Sequence, residues 1–291
     1  AYYDGYLYAF AKGNANNDDI TTKKLLKVDT ETKQIVAELE LSAEYKDPNN
    51  LTVVGGDTLF FGDNKYATML AVDLNTFQYM DVGITAGGVC GMVSEELNGK
   101  AYFVAYNVGL CEYDIATRKA TPIEGLESAA IDLRFQKNSI VYLDDPDMPG
   151  PTVLTSSSSN GAPVFYNLQT KTNFKWDTLV ASDGTGQNIR SLTNGPAGSG
   201  DLYIGCYGRA LATVYNTDAD KYTLNFTSGG QSDSLLYYNG MLYAGCYTGA
   251  NLVQIDPITN TRTTLFNLKD YEQTRIHTLA AGDGKIFVGS T

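Results

Sequence analysis

The chain has 291 residues, long enough to bury a substantial core, and carries 21 Lys and Arg against 33 Asp and Glu. The resulting net charge of −12 repels phosphate backbones and anionic lipid, which argues against nucleic acid as a partner. No apolar run approaches the roughly 18 residues that span a bilayer, so membrane insertion is not expected. With 29 Gly, 21 Tyr and 19% charged residues, the composition suits turns and pleated surfaces and predicts an all-β protein.

One phrase recurs along the chain: a tight Gly or Asn turn, then an alternating strand with an aromatic residue. Its first copy is "DGYLYAFA" from Asp4. The stretch that follows, Lys12 to Thr22, holds Asn16, Asn17, Asp18 and Asp19. Clustered hard oxygen donors make Asp18 and Asp19 candidate calcium ligands, although EF-hand spacing is absent. "LLKVDTETK" reads as a third strand ending at Asp29, whose carboxylate can hold the turn that follows. Ser42 to Asn50 reads as a long connection, and Asn50-Leu51-Thr52 is a glycosylation sequon. A first strand near Leu51, then "GDTLFFGD" from Gly56 and "MLAVDLNTF", repeat the plan. A strand near Cys90, "GKAYFVAY" from Gly99 and "LCEYDIATR" repeat it again.

The fourth unit opens with a strand near Ile131 and takes "NSIVYLDD" from Asn138 as its second strand. Asp144 to Ala162, "DDPDMPGPTVLTSSSSNGA", then reads as a long loop. Its Asp144, Asp145 and Asp147 are the other candidate calcium ligands, and Ser156 to Ser159 has the composition of a disordered run. "GDLYIGCY" from Gly200 and "GMLYAGCY" from Gly240 are nearly one phrase written twice, and Asn225-Phe226-Thr227 between them is a second sequon. Cys206 and Cys246 take a position held by small residues elsewhere. In neighbouring sheets they would lie about 10 Å apart, beyond the roughly 7 Å limit for a disulfide.

Three first strands in this last third begin "GQNIRSL", "GQSDSLL" and "EQTRIHTL". They place Gln187, Gln231 and Gln273 in similar register, with Arg190, Asp233, Arg275 and His277 nearby. Arg offers a planar fork and Gln both donors and acceptors, so the set Gln187, Arg190, Gln231, Asp233, Gln273 and Arg275 suits the carboxylates or hydroxyls of a sugar. Capping of strand ends is the structural alternative.

A repeat of about 40 residues with four strands per unit matches radial stacking of four-stranded sheets. The fold class predicted is therefore a β-propeller of four-stranded antiparallel blades, one domain over residues 1–291. Phrases such as "DGKIFVGST" and "NLVQIDPITNTRT" resemble quinoprotein-like and streptogramin-lyase-like propeller repeats. The Trp-Asp ending of WD40 blades and the sialidase box Ser-x-Asp-x-Gly-x-Thr-Trp are absent. Second strands outnumber each other kind by one, which favours seven blades with the last incomplete. Six blades, the first sealed by the strand at Ile276, are the alternative. Either arrangement leaves a strand edge able to pair by strand addition with another copy or with a portion of the same protein outside this sequence.

The long connections fall on the face where first strands begin, which makes it the expected binding face. The function expected is a non-catalytic module, secreted or at the cell surface, that binds glycan or protein or assembles with copies of itself. No cofactor is expected apart from calcium. The alternative is a polysaccharide lyase using His277, Arg275, Arg190 and Tyr271. His277 is the only histidine, so the resemblance carries no propeller lyase's catalytic residues onto this chain. Nucleophile elbows, phosphate loops and zinc motifs are missing as well.

Overall fold

The computed structural model describes residues 1–11, 23–42, 48–63, 68–84, 93–105, 108–126, 139–142, 149–156, 163–175, 179–180, 186–196, 199, 201–207, 211–216, 221–227 and 230–290. They divide into two compact units, Ala1–Arg134 with Gly282–Gly284, and Phe135–Ala281 with Lys285–Thr291.

In the first unit, β1 (Tyr2–Tyr3), β2 (Tyr6–Ala11), β3 (Lys23–Asp29) and β4 (Ile35–Leu41) form an antiparallel sheet in chain order. β5 (Pro48–Val54), β6 (Thr58–Asp63), β7 (Thr68–Asp73) and β8 (Gln78–Met80) form the next. β9 (Lys100–Ala105), β10 (Gly109–Asp114) and β11 (Lys119–Pro122) form a third. In the second unit, β12 (Ser139–Tyr142), β13 (Pro151–Ser156), β14 (Pro163–Asn167) and β15 (Thr172–Lys175) make a four-stranded sheet. β16 (Leu179–Val180), β17 (Gly186–Asn194), β18 (Asp201–Tyr207), β19 (Leu211–Asn216) and β20 (Lys221–Thr227) make a five-stranded one. β21 (Gln231–Tyr238), β22 (Met241–Tyr247), β23 (Asn251–Ile255) and β24 (Arg262–Asn267) follow, and β25 (Ile276–Gly282) pairs with β26 (Lys285–Ser290). Successive up-and-down sheets of this size, each packed on the next within its unit, are a β-propeller-like arrangement.

Period-2 alternation sends second strands such as β6 and β22 into two cores. In β6, Leu59 and Phe61 join Tyr8, Leu25 and Leu39 of the preceding sheet, while Phe60 joins Phe103 and Tyr113 of the following one. Phe60 and Tyr113 meet edge to face at 4.8 Å between centroids, and the Tyr113 hydroxyl shares a 2.9 Å hydrogen bond with Thr58 Oγ1. In β22, Leu242, Ala244 and Cys246 pack with Tyr203, while Tyr243 packs with Ile276, Ile286 and Val288. Of the aromatics aligned from sequence, Tyr8, Phe60, Tyr102, Tyr203 and Tyr243 are buried, Phe287 is half-buried, and Tyr142 belongs to a first strand, β12.

The third-to-fourth strand turns share one construction. Thr32, Thr76, Thr117, Thr170 and Thr259 each donate a backbone N–H to the side-chain Oδ1 of Asp29, Asp73, Asp114, Asn167 and Asp256 respectively. The residue after each Thr, namely Lys33, Phe77, Arg118, Lys171 and Asn260, has positive φ and donates its N–H to the backbone carbonyl of the same Asp or Asn. The hydrogen bonds pull the Asp29, Asp73, Asp114 and Asp256 carboxyls below the ordinary 3.8, with the Arg118 guanidinium the leading cause at Asp73. These acids hold turns.

Three sequence expectations are corrected. A short first strand, β1, precedes "YLYAFA", so the first sheet is complete without the strand at Ile276, which instead pairs with β26. "SIVY" of β12 is the first strand of its sheet, and the stretch read as a loop contains the second strand, β13. Thr152 to Thr155 are buried on both faces, so β13 shows no alternation, and Pro151 stands at its first residue, where a missing N–H is tolerated. Asn49 and Asn50, placed in a connection from sequence, belong to β5. The strands expected near Cys90 and Ile131, the stretch Lys12 to Thr22 and Ser157 to Ser159 lie outside the described residues.

Candidate functional site

The doubled phrase is explained by close approach. A Cβ on Gly245 would stand 2.4 Å from Ile276 Cγ2 and from Ser234 Oγ, and one on Gly205 would stand 2.3 Å from Ser191 Oγ and 2.8 Å from Ser232 Cβ. Only glycine lets the next sheet's first strand pass here. The serines fasten it: Ser191 Oγ donates to the Ser232 carbonyl at 2.9 Å, and Ser234 Oγ to the Ile276 carbonyl at 3.2 Å. Cys206 and Cys246, beside these glycines, are buried and form no disulfide.

The same fastening sets equivalences between sheets. Ser191 matches Ser234, and Ser232 matches Ile276, so Arg190, Asp233 and His277 occupy one position in three successive first strands. At two of these the ladder slips: the register shifts between Ile189 and Ser191 in β17 and between Ser232 and Ser234 in β21. Arg190 and Asp233 are thus the extra residues of β-bulges, which re-aim side chains out of the pleat.

The bulges bring opposite charges together. The Asp233 side chain is 1% exposed and lies between two guanidinium groups, with Arg190 Nε donating to Oδ1 at 3.1 Å and Arg275 Nη1 at 3.4 Å from Oδ2. Gln231 Nε2 also donates to Oδ1. The Arg275 guanidinium lies 3.9 Å above the Tyr247 ring, and the two residues form a backbone bridge. A carboxylate this buried is costly unless paired, and here both partners stay partly wet, Arg190 at 22% and Arg275 at 26% exposure. Two cations thus share one anion on a chain of net charge −12.

Of the residues chosen from sequence, the structure gathers Arg190, Gln231, Asp233 and Arg275. Gln187 is out of register: it stands opposite Leu179, while Asn188 stands opposite Tyr207 as Gln231 does opposite Tyr247. A one-residue offset in a strand changes the face. Gln273 turns its amide to the Tyr271 carbonyl at 3.1 Å, Tyr271 is 73% exposed on a short 3-10 turn, and the His277 side chain is exposed on β25. Sequence reasoning missed Tyr247. It is the last letter of the second "GCY" phrase, as Tyr207 is of the first, a signal hidden by its resemblance to a strand residue.

Asp18, Asp19, Asp144, Asp145 and Asp147 lie outside the described residues. Among the described residues no group of three His, Cys, Asp or Glu could hold a metal ion. Asn50 lies in β5 and Asn225 in β20, opposite Thr213, so both sequons sit in strands. No helix among the described residues is long and apolar enough to cross a membrane.

No protein-family model matches the chain, and no curated protein sequence matches it. Solved structures do. The chain is similar to the computationally designed Ika8 protein, with a TM-score of 0.61 and 12% identity over 100% of this chain and 79% of that one. It is similar to a chain of the Mitotic Checkpoint Complex, with a TM-score of 0.66 and 12% identity over 92% of this chain and 78% of that one. It is also similar to the extracellular domain of BT4673 from B. thetaiotaomicron, with a TM-score of 0.60 and 13% identity over 98% of this chain and 37% of that one. At such identities the likeness shows the fold alone, one of β-propeller type.

Proposed function

We propose that the chain is a non-catalytic, extracellular binding module of seven propeller blades, akin to the quinoprotein-like and streptogramin-lyase-like repeats, that takes a glycan or protein at the ends of its first strands. The observation that carries this reading is the pair of partly exposed guanidinium groups held on one buried carboxylate, Arg190 and Arg275 on Asp233. Rigid strands hold that arrangement, as a recognition site requires. The extracellular neighbour supports the location. Glycan and protein arrays probed with the wild-type chain and with Arg190→Ala/Arg275→Ala test it. Binding that the double variant loses supports the reading, and binding indifferent to it sinks the site. The lyase reading draws on His277 sharing the strand position of Arg190 and Asp233. Unsaturated product from uronate polysaccharides, abolished by His277→Ala, would replace the binding module with an enzyme.

Self-assembly has its own support. β26 carries no charge between Lys285 and Ser290, and its outer edge has no partner strand among the described residues. β24 is exposed along its whole length, and its Phe266, 40% exposed, stands opposite Leu252, whose face packs toward β25 and β26. Unprotected edges recruit strands. A second copy adding a strand at β26 would cover both features. Sedimentation should show concentration-dependent association that Phe287→Lys suppresses; a monomer at all concentrations sinks this second reading.

A further inference from the structure

We infer that the Arg275 guanidinium is a receptor for a single carboxylate carried on a polyhydroxylated ligand. This inference rests on the binding-module reading and names its ligand chemistry. Arg275 is held on two sides. Tyr247 lies against one face of the guanidinium at 3.9 Å, and Asp233 Oδ2 lies 3.4 Å from one amino group. Stacking leaves the plane's edge as the direction in which a further acceptor can be met, and a planar carboxylate matches two in-plane N–H groups of a guanidinium. The Arg275 side chain as a whole is 26% exposed, so it is not closed off from solvent.

The charge sets the valence. Arg275 carries one positive charge and shares the single Asp233 carboxylate with Arg190 and Gln231, so one monoanion suffices to match it. A dianion would meet both Asp233 and the field of a chain at −12. Asp233 Oδ2 is buried without a hydrogen bond, so Arg275 engages it through charge at 3.4 Å and its donors are not saturated by it.

The surroundings select the carrier. From Tyr271 to Thr278 the exposed side chains are phenol, carboxylate, hydroxyl and imidazole groups, and the one aliphatic residue, Ile276, is buried. Thr248, beside Tyr247, is exposed as well. Protein partners take their affinity from apolar and aromatic anchors in desolvated pockets. A polar surface with one exposed tyrosine fits a sugar bearing a carboxylate.

Calorimetric titration with trigalacturonate tests this, with its methyl ester, a sulfated neutral trisaccharide and a glutamate-rich peptide as comparisons. Trigalacturonate should bind and the ester should not, and affinity should fall as salt is raised. Arg275→Gln should weaken binding by about tenfold or more. Arg275→Lys, which keeps the charge and loses the fork, should fall between the two and guards against a variant that fails to fold. Tyr247→Leu should cost about threefold to fivefold with the preference for the acid over the ester retained. Equal binding of acid and ester, absence of trigalacturonate binding, or affinity unchanged in Arg275→Gln overturns the inference. Stronger binding of the sulfated sugar or the peptide overturns the carboxylate or the carrier respectively. If the arrays detect a neutral glycan bound at the Arg190 and Arg275 site while trigalacturonate fails, the binding module stands and the anion receptor falls.

Discussion

Two charged clusters, one in each unit, have inverse compositions. In the first unit a single cation serves two anions: Arg118 Nη1 donates to Asp73 Oδ2 at 2.8 Å, and Nε lies 3.6 Å from Asp57 Oδ2. In the second unit the single anion Asp233 serves Arg190 and Arg275. The first cluster is built from turn parts, since Asp73 opens one third-to-fourth strand turn and Arg118 is the positive-φ residue of another. The second is built from two bulge residues of first strands, Arg190 and Asp233, with Arg275 just ahead of the next first strand. Burial separates them further. Arg118, Asp73 and Asp57 keep 31%, 17% and 34% of their side-chain surface in water, so solvent shares their charge, whereas Asp233 at 1% depends on its partners. A motif repeated in five turns fits a structural task. One position that changes from Arg to Asp to His in successive sheets fits a task specific to its place.

Asp233→Ala should break the comparison most sharply. It removes the shared ion, leaves two guanidinium groups facing one another, and should cost about 3 kcal/mol, the low end for breaking a buried pair because both arginines remain partly hydrated. Asp73→Ala forfeits a partly wet ion pair and the turn hydrogen bonds, and should cost about 1 kcal/mol. Urea denaturation of both variants measures the gap. Equal losses would mean that burial does not distinguish the clusters.

A smaller effect is expected from Gly245→Ala, which leaves every charge in place. The new methyl would meet Ile276 Cγ2 and Ser234 Oγ at 2.4 Å, so the strand that carries Arg275 must shift. Overpacking of this kind costs about 2 kcal/mol. Gly240→Ala, at φ 80° with open space around it, is the converse case, backbone strain without a clash, and should cost about 1 kcal/mol. If the second cluster depends on strand approach, the costs of Gly245→Ala and Arg275→Ala will not add. Additivity would detach the cluster from the glycine phrase.

These two sites also mark how far the sequence was legible. The turns were readable because their chemistry is local: Asp, then Thr three residues on, repeated. The second strands were readable because an aromatic residue recurs in an alternating run, and β12 was misplaced for the same reason, since nothing in "SIVY" distinguishes a first strand from a second. The Arg190, Gln231, Asp233 and Arg275 grouping was visible as shared position along repeats. Its geometry was not. Both strands carry the bulge at the equivalent residue, and the shared "GQ" dipeptide, one place earlier in β17, set Gln187 beside Gln231 although Asn188 takes that place in the ladder. Tyr247 escaped because its partner is Arg275, beyond the end of its own sheet.

The smallest effect should come from acid and salt acting on the first cluster. The Arg118 guanidinium, then the backbone N–H groups of Asn75 and Thr76, hold the Asp73 carboxyl below 3.8, and backbone N–H groups do the same at Asp29, Asp114 and Asp256. Folded values below the unfolded one mean that this stabilisation is complete above about pH 4 and is lost as pH falls through the folded values. Arg118→Gln withdraws the leading contribution at Asp73 and leaves the backbone hydrogen bonds. Its acid unfolding midpoint should therefore move to slightly higher pH, while the loss at neutral pH stays under about 1 kcal/mol and shrinks further in high salt. Salt should leave the cost of Asp233→Ala nearly unchanged, because ions do not reach a carboxylate that water does not reach. Melting curves of the two variants at low and high salt would show whether that asymmetry exists. If both costs fall together, Asp233 is open to solvent, and the distinction between a structural turn and a recognition position loses its physical basis.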